Sequence, residues 1–264
     1  MPEESVSVII PHYRNEQFLF QAVESIARQE KVTVSLFVVD DCSGTNLWLK
    51  QLKQYRTDPR IHLYTTSKRV GPYRIKNAVL PLIETPFVSF QDADDVSHAH
   101  RIYEQLKVLK MKKADIVGTS FTIINSKGEE LSRKKMVANA NFWLKLGKSF
   151  VMLPPSITLF KRVLDALHGF DGTTMVAADT DFIYRAAYIA KMRNTANSYY
   201  YYRKHDNSLT MHPLTGIGSL LRNAYFKKIL NREKIRKDTA RKHLDRQMLI
   251  PPPNDVDFDL IPVA

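Results

Sequence analysis

The chemistry available to this chain concentrates where apolar runs end in carboxylates. Phe87-Val88-Ser89-Phe90-Gln91 leads into Asp92-Ala93-Asp94-Asp95. Carboxylates crowded in this way repel one another unless a cation stands between them. Hard divalent ions such as Mg²⁺ and Mn²⁺ take oxygen ligands and bridge protein carboxylates to a substrate's phosphates. On an extended segment Asp92 and Asp94 point to the same side, which suits joint work on one ligand. The competing reading is an acidic turn that caps a helix, since Asp is favoured at N-caps and in first turns. A second run, Leu36-Phe37-Val38-Val39, ends in Asp40-Asp41-Cys42-Ser43-Gly44, and a third, Val6-Ser7-Val8-Ile9-Ile10, closes with Pro11-His12-Tyr13.

Elements must hold these ends in place. Residues 16–29 carry Phe18, Leu19, Ala22, Val23 and Ile26, and residues 46–56 carry Leu47, Trp48, Leu49, Leu52 and Tyr55. Both spacings give one apolar face and predict helices. Strands alternating with helices imply a parallel sheet, and ligands of open α/β sheets bind beyond the carboxyl ends of the strands. Tyr13, Asp40-Asp41 and Asp92 to Asp95 are therefore expected on one rim. Further along, a helix is expected to begin near His98, another to run from Asp179 to Met192, and a strand to carry Tyr199 to Tyr202.

Composition narrows the context. A chain of 264 residues with 44% hydrophobic content buries a real core as one domain, or one domain with a tail. No apolar run approaches the roughly 20 residues needed to span a bilayer. The acidic start Met1-Pro2-Glu3-Glu4 is unlike a secretory signal, so the expected location is cytoplasmic. Cys42 stands alone, which excludes an intrachain disulfide framework and a cysteine-rich zinc site; it reads as a small filler of its turn.

The net charge of +12 is unevenly placed: between Leu221 and Arg246 ten basic residues face three acidic ones. Leu220, Leu221, Ala224, Tyr225, Lys228, Ile229 and Arg232 follow helical spacing, which predicts a basic amphipathic helix. Three roles compete: contact with an anionic membrane surface through residues 217–246, a solvated face packed on the domain, and, least favoured, nucleic-acid binding. Pro251-Pro252-Pro253-Asn254-Asp255 cannot continue a helix and predicts a loose tail.

Five segments in order resemble the signatures of family 2 glycosyltransferases. The first three are Ser7 to Tyr13, Val39-Asp40-Asp41-Cys42-Ser43 and Gln91 to Asp95. Leu167-His168-Gly169-Phe170-Asp171 is similar to the family's Gly-Gly-Phe-Asp turn, and Ala178-Asp179-Thr180-Asp181-Phe182-Ile183-Tyr184-Arg185 to its Glu-Asp-x-Asp-x-x-x-Arg helix start. The resemblance covers roughly residues 5–210. It implies an α/β GT-A fold, Rossmann-like, with a mostly parallel central sheet and a basic helical C-terminal extension. The implied division is a transferase domain over 1–213, with a nucleotide-binding half over 1–96 and an acceptor-binding half over 97–213. The helical extension then takes 214–250 and the flexible tail 251–264.

The same resemblance implies metal-dependent, inverting transfer of a hexosyl or N-acetylhexosaminyl group to a glycan or lipid-linked glycan. Asp179 takes the place of the family's catalytic base, and a helix start favours the charged form of a carboxylate. Pro11 and Tyr13 border the base, while Asp41 accepts from uracil N3–H, which favours a UDP-sugar over a CDP-sugar and leaves TDP-sugars open. Arg74 and Lys76 compete for the diphosphate; Lys76 stands where arginine is usual, which keeps a charge but loses the bidentate fork. Asp92 contacts the ribose or a metal-bound water. Asp94 coordinates the metal, Mn²⁺ or Mg²⁺, and His205 in Arg203-Lys204-His205 is a second metal candidate. Asp95 reads as a helix cap. Ala178 departs from the acidic residue expected there, which puts acceptor contacts in doubt. Two rivals stand beside this reading: a nucleotidyltransferase releasing pyrophosphate, and a GT-A module that binds a nucleotide or partner without turnover. Peripheral association with the inner face of a membrane is the further expectation drawn from the basic segment.

Overall fold

The computed structural model describes residues 5–206, 208–240, 245–253 and 257–263. In chain order the elements are β1 (Ser5–His12), α1 (Glu16–Ala27), β2 (Thr33–Asp40), α2 (Leu47–Gln51), β3 (Ile61–Thr66), α3 (Pro72–Val79) and β4 (Phe87–Phe90). There follow β5 (Val96–Ser97), α4 (Arg101–Lys110), β6 (Ile116–Ile124), β7 (Glu130–Lys134), α5 (Ala140–Lys145) and β8 (Thr158–Phe160). The chain continues with α6 (Lys161–Ala166), α7 (Ala178–Ala186), β9 (Met192–Arg203), α8 (Leu220–Ala240) and β10 (Leu260–Pro262).

One sheet orders its strands β10-β3-β2-β1-β4-β8-β6-β9-β5, with β7 paired to β6. The block β3-β2-β1-β4 is parallel, as the alternation of strands and helices requires. Beyond it β8 runs antiparallel to both β4 and β6, and β6 pairs parallel with β9. The chain winds outward from β1 in both directions, through β2 on one side and β4 on the other, so the switch in strand order lies between β1 and β4.

Alternation along the strands sorts side chains into two cores. Val8, Ile10, Leu36 and Val38 face Leu19, Val23 and Ile26 of α1 and Ile102, Leu106 and Leu109 of α4. Ile9, Phe37, Val39, Val88 and Phe90 face the opposite core, with Ile75 and Val79 of α3 and Phe182 of α7. Both faces are covered, which is why these strands read as nearly continuous apolar runs.

Four expectations change. The helix over 46–56 breaks into α2 and a single 3₁₀ turn at Lys53–Tyr55. The helix opening at Asp179 stops at Ala186, and Met192 instead starts β9 in register with Ile116. Asp95 caps no helix; its Oδ1 accepts from the Arg203 backbone N–H at 2.7 Å. The tail is not loose at its end: β10 pairs antiparallel with β3, Phe258 is buried, and Asp257 bonds Lys68 at 2.5 Å and pairs with Arg74. Without β10, β3 would present an open sheet edge, and pairing that edge satisfies its backbone groups.

The basic helix is present, but its charges divide. Its inward side buries Ile229, Glu233 and Arg236. Asp181 takes Arg185 Nε at 2.7 Å and Arg236 Nη2 at 3.0 Å, and all three side chains are nearly fully buried. Arg185 also donates to the carbonyls of Leu167, Gly169 and Leu249. Removing one member of such a set strands a buried charge at a cost of about 3–5 kcal/mol, so this cluster clamps α8 to α7.

Candidate active site

Three strand ends build the rim. Asp41 follows β2, and its backbone N–H bonds the carbonyl of His12 at the end of β1. Its carboxylate is buried and accepts from Val70 N at 2.6 Å and Gly71 N at 2.9 Å. Gly71 sits at φ +88°, a conformation glycine adopts freely, and there opens α3. Burial raises the Asp41 pKa, and those two amides oppose the rise. Thr66 Oγ1 also donates to Oδ1 at 3.5 Å, which leaves Oδ2 with a second lone pair for a ligand's donor. Asp40 is a framework residue, taking Ser43 N at 3.0 Å and the Ser43 hydroxyl to close the turn. In that turn Cys42 is exposed, so it fills no core space.

Beside Asp41, the ring of Tyr13 is half-buried, with the Arg69 guanidinium 3.9 Å from its centroid. The Arg69 charge also acts on Asp41. The Arg14 guanidinium lies 5.3 Å from the same centroid, so a flat base must share this ring with the two arginines or displace one of them. Pro11, the residue of β1 paired with Val39, stands two positions before Tyr13.

At the end of β4 the chain turns through Asp92, Asp94 and Asp95, whose nearest carboxylate oxygens lie within 4.8 Å of one another. Asp92 is pushed up to about 7, first by burial and then by Asp94 and Asp179, with Lys76 opposing. Burial, followed by Asp94 and Asp92, raises Asp95 well above the usual carboxylate range. These all-oxygen donors under mutual repulsion fit a hard divalent cation. His205 Nε2 lies 2.8 Å from Asp94 Oδ2, which brings the two metal candidates together.

Arg74 and Lys76 separate clearly. The guanidinium of Arg74 is paired with Asp257 and lies over Phe258. Lys76 is no surface charge: it is buried, with Nζ 4.9 Å from the Phe90 centroid and 5.6 Å from those of Tyr73 and Phe170. Aromatic faces attract a cation at that range. Its charge acts on Asp92.

Asp179 is the second residue of α7 and is partly exposed; its Oδ1 accepts from Thr180 N at 2.7 Å. The neighbouring Asp181 turns inward to the arginine clamp, so the two acids of one short motif divide into a rim carboxylate and a buried anchor. Tyr73 joins α3 to this edge. It takes a hydrogen bond from the Asp179 backbone, and its pKa is raised well above normal by burial and by Asp179 and Asp92. Asn77 pins the preceding turn, donating to Phe170 O at 2.8 Å and accepting from Phe170 N at 2.9 Å. A side chain added at Gly169, φ +67°, would collide with Asn77 Oδ1.

Sequence reasoning missed several supports. Arg203 holds the acidic turn, donating to Asp94 O at 2.7 Å, to Gln21 at 2.7 Å and to the carbonyls of Asn125 and Ser126. Tyr200 is buried beneath that turn, and its hydroxyl accepts from Asp92 N at 3.2 Å. Arg101 bonds the carbonyls of Phe90 and Pro155, and burial pushes it down to about 10. The alternation of Tyr199 to Tyr202 marked one face as inward, but nothing local marked its target.

The profile of Glycosyl transferase family 2 matches residues 7–230. Among curated proteins, the chain is 28% identical over 126 residues to the UDP-Glc:alpha-D-GlcNAc-diphosphoundecaprenol beta-1,3-glucosyltransferase WfgD of Escherichia coli, covering 48% of this chain and 49% of that one. It is 29% identical over 137 residues to the poly(ribitol-phosphate) beta-N-acetylglucosaminyltransferase TarS of Staphylococcus aureus, covering 50% of this chain and 23% of TarS. The chain thus spans about half or less of the length of these relatives. The fold matches the crystal structure of S. aureus TarS 1–349 in complex with UDP-GlcNAc at a TM-score of 0.65 and 19% identity, covering 89% of this chain and 73% of that one.

Proposed function

The chain belongs to glycosyl transferase family 2, and on that premise we propose that it moves a sugar from a nucleoside diphosphate donor to an acceptor hydroxyl at the rim beyond β1, β2 and β4. The observation that carries this is the meeting of Asp92 and Asp94 from β4, the caged Lys76 from α3 and Asp179 from α7. A UDP-sugar is the favoured donor. Support comes from the name of the E. coli relative, from the UDP-GlcNAc complex of TarS, and from the half-buried Tyr13 ring and the Asp41 carboxylate at the ends of β1 and β2. The acceptor class follows the same relatives: a glycan or lipid-linked glycan.

In this mechanism Tyr13 stacks on the uracil and Asp41 accepts its N3–H. Lys76 supplies fixed positive charge towards the diphosphate, with the three rings excluding water around it. A divalent cation held by Asp94, with Asp92 and His205 alongside, would act as a Lewis acid and offset charge on the departing diphosphate. Asp179 takes the proton of the acceptor hydroxyl as its oxygen attacks the anomeric carbon. The new carbon–oxygen bond forms as the bond to the β-phosphate oxygen breaks, UDP departs, and a single in-line displacement inverts the anomeric centre.

Calorimetric titration with UDP, GDP, CDP and TDP, each with Mn²⁺ and with EDTA, tests the donor site. UDP is expected to bind most tightly, at least about tenfold better with metal, a difference of about 1.4 kcal/mol. Equal affinity for all four, or no effect of metal, would reject the assigned roles of Asp41 and Asp94.

A further inference from the structure

The segment that leaves the site carries apolar side chains into solvent. From Leu209 to Leu221 the chain exposes Met211 (58%), Leu214 (70%), Ile217 (82%) and Leu220 (89%). Isolated exposed apolar residues are ordinary, but several together on one short stretch mark a contact surface. This stretch is held in place. Tyr202 bonds Thr210 at 3.0 Å, and Arg222 Nε donates to Thr215 O at 2.7 Å.

Charge selects what covers it. No Asp or Glu occurs between Asp206 and Glu233, while Arg222, Lys227, Lys228 and Arg232 do. The inward side of α8 consumes part of the basic set: Arg236 is locked on Asp181, and Arg232 bonds Asp171 at 2.5 Å. The outward side keeps Lys227, Lys228 and Lys234 exposed, together with Leu220 and Ile235. Helical spacing puts these five on one face, continuous with the apolar stretch. Apolar side chains beside three exposed lysines, with the exposed Asp238 as the acid on that helical face, leave a net positive surface that matches the boundary between acyl chains and anionic headgroups.

We propose that Leu214, Ile217 and Leu220 insert into an anionic lipid surface, with Lys227, Lys228 and Lys234 on the headgroups. The proposal rests on the glycosyltransferase reading only for its purpose, presenting a lipid-linked acceptor, and not for the contact itself.

The test is flotation of the full chain with vesicles of phosphatidylcholine alone and with added phosphatidylglycerol, in low and high salt. Binding is expected only with phosphatidylglycerol and is expected to weaken with salt. The Ile217→Ser/Leu220→Ser pair and the Lys227→Glu/Lys228→Glu pair should each lower partitioning about tenfold or more. UDP affinity, measured in parallel, should stay unchanged in both, so a failed donor site and a failed membrane contact give different results. No binding to anionic vesicles, or binding unaffected by the serine pair, would overturn the proposal. So would a chain that self-associates through this stretch, with the serine pair releasing monomers and leaving vesicle binding unaltered.

Discussion

Replacing Asp179 with alanine is expected to lower sugar transfer by about 10²–10⁴-fold, the usual contribution of a positioned general base. Among the described residues, the Asp179 side chain bonds only the adjacent Thr180, whereas the structural work of this helix start belongs to Asp181. The expected cost in stability is no more than that of a lost helix-terminal contact, about 1 kcal/mol. Nucleotide affinity should hardly move, because Asp41, Lys76 and Asp94 remain. Asparagine at the same position should be as slow as alanine, since an amide keeps the shape and loses the base. A variant with normal kcat would remove Asp179 from the mechanism. One that melts far below the parent would mean that the residue supports the fold instead.

Replacing Asp94 with alanine is the second large effect. Asp94 lies between Asp92 and Asp95 at a site where burial and repulsion already raise both neighbours. With Mn²⁺ present, UDP should bind this variant no better than it binds the parent in EDTA. Transfer should fall by about 10³-fold, as expected when several kcal/mol of charge stabilisation on the leaving diphosphate is lost. The backbone around Asp94 should persist, because Arg203 grips its carbonyl and not its carboxylate. Alanine at His205 should have a smaller effect in the same direction, since that ring reaches Asp94 from one side only. Unchanged metal enhancement of UDP binding in Asp94→Ala would contradict the assigned metal site.

The strand ends were legible because polarity changes abruptly there. Val39 to Asp40 and Phe90 to Asp92 pass from apolar side chains to carboxylates within two residues, although Asp40 and Asp41 stay buried, and the order of strands then brings these ends together. The different surroundings of Arg74 and Lys76 were not legible. Both lie on one short helix, and the partner of Arg74, Asp257, stands 183 residues further along the chain. Asp95 was misread for a similar reason: helix capping is a local habit of Asp, but Arg203 supplies a backbone N–H from 108 residues away. The end of α7 was also hidden, since the apolar spacing runs on through Ala186 and Ala190 until pairing with Ile116 claims Met192 for the sheet. A three-residue strand such as β10 carries too little alternation to be read at all; its register with Thr66, Thr65 and Tyr64 is a property of the folded edge.

The central claim is that the rim cleaves a UDP-sugar between the anomeric carbon and the β-phosphate. Its most direct test follows the nucleotide released when the full chain is incubated with Mn²⁺ and UDP-glucose or UDP-N-acetylglucosamine, with water as the acceptor. UDP should be the nucleotide product, formed slowly by the parent and more slowly still by Asp179→Asn. Release of UMP with a sugar phosphate, or no release from either donor by a protein that binds UDP, would contradict the account.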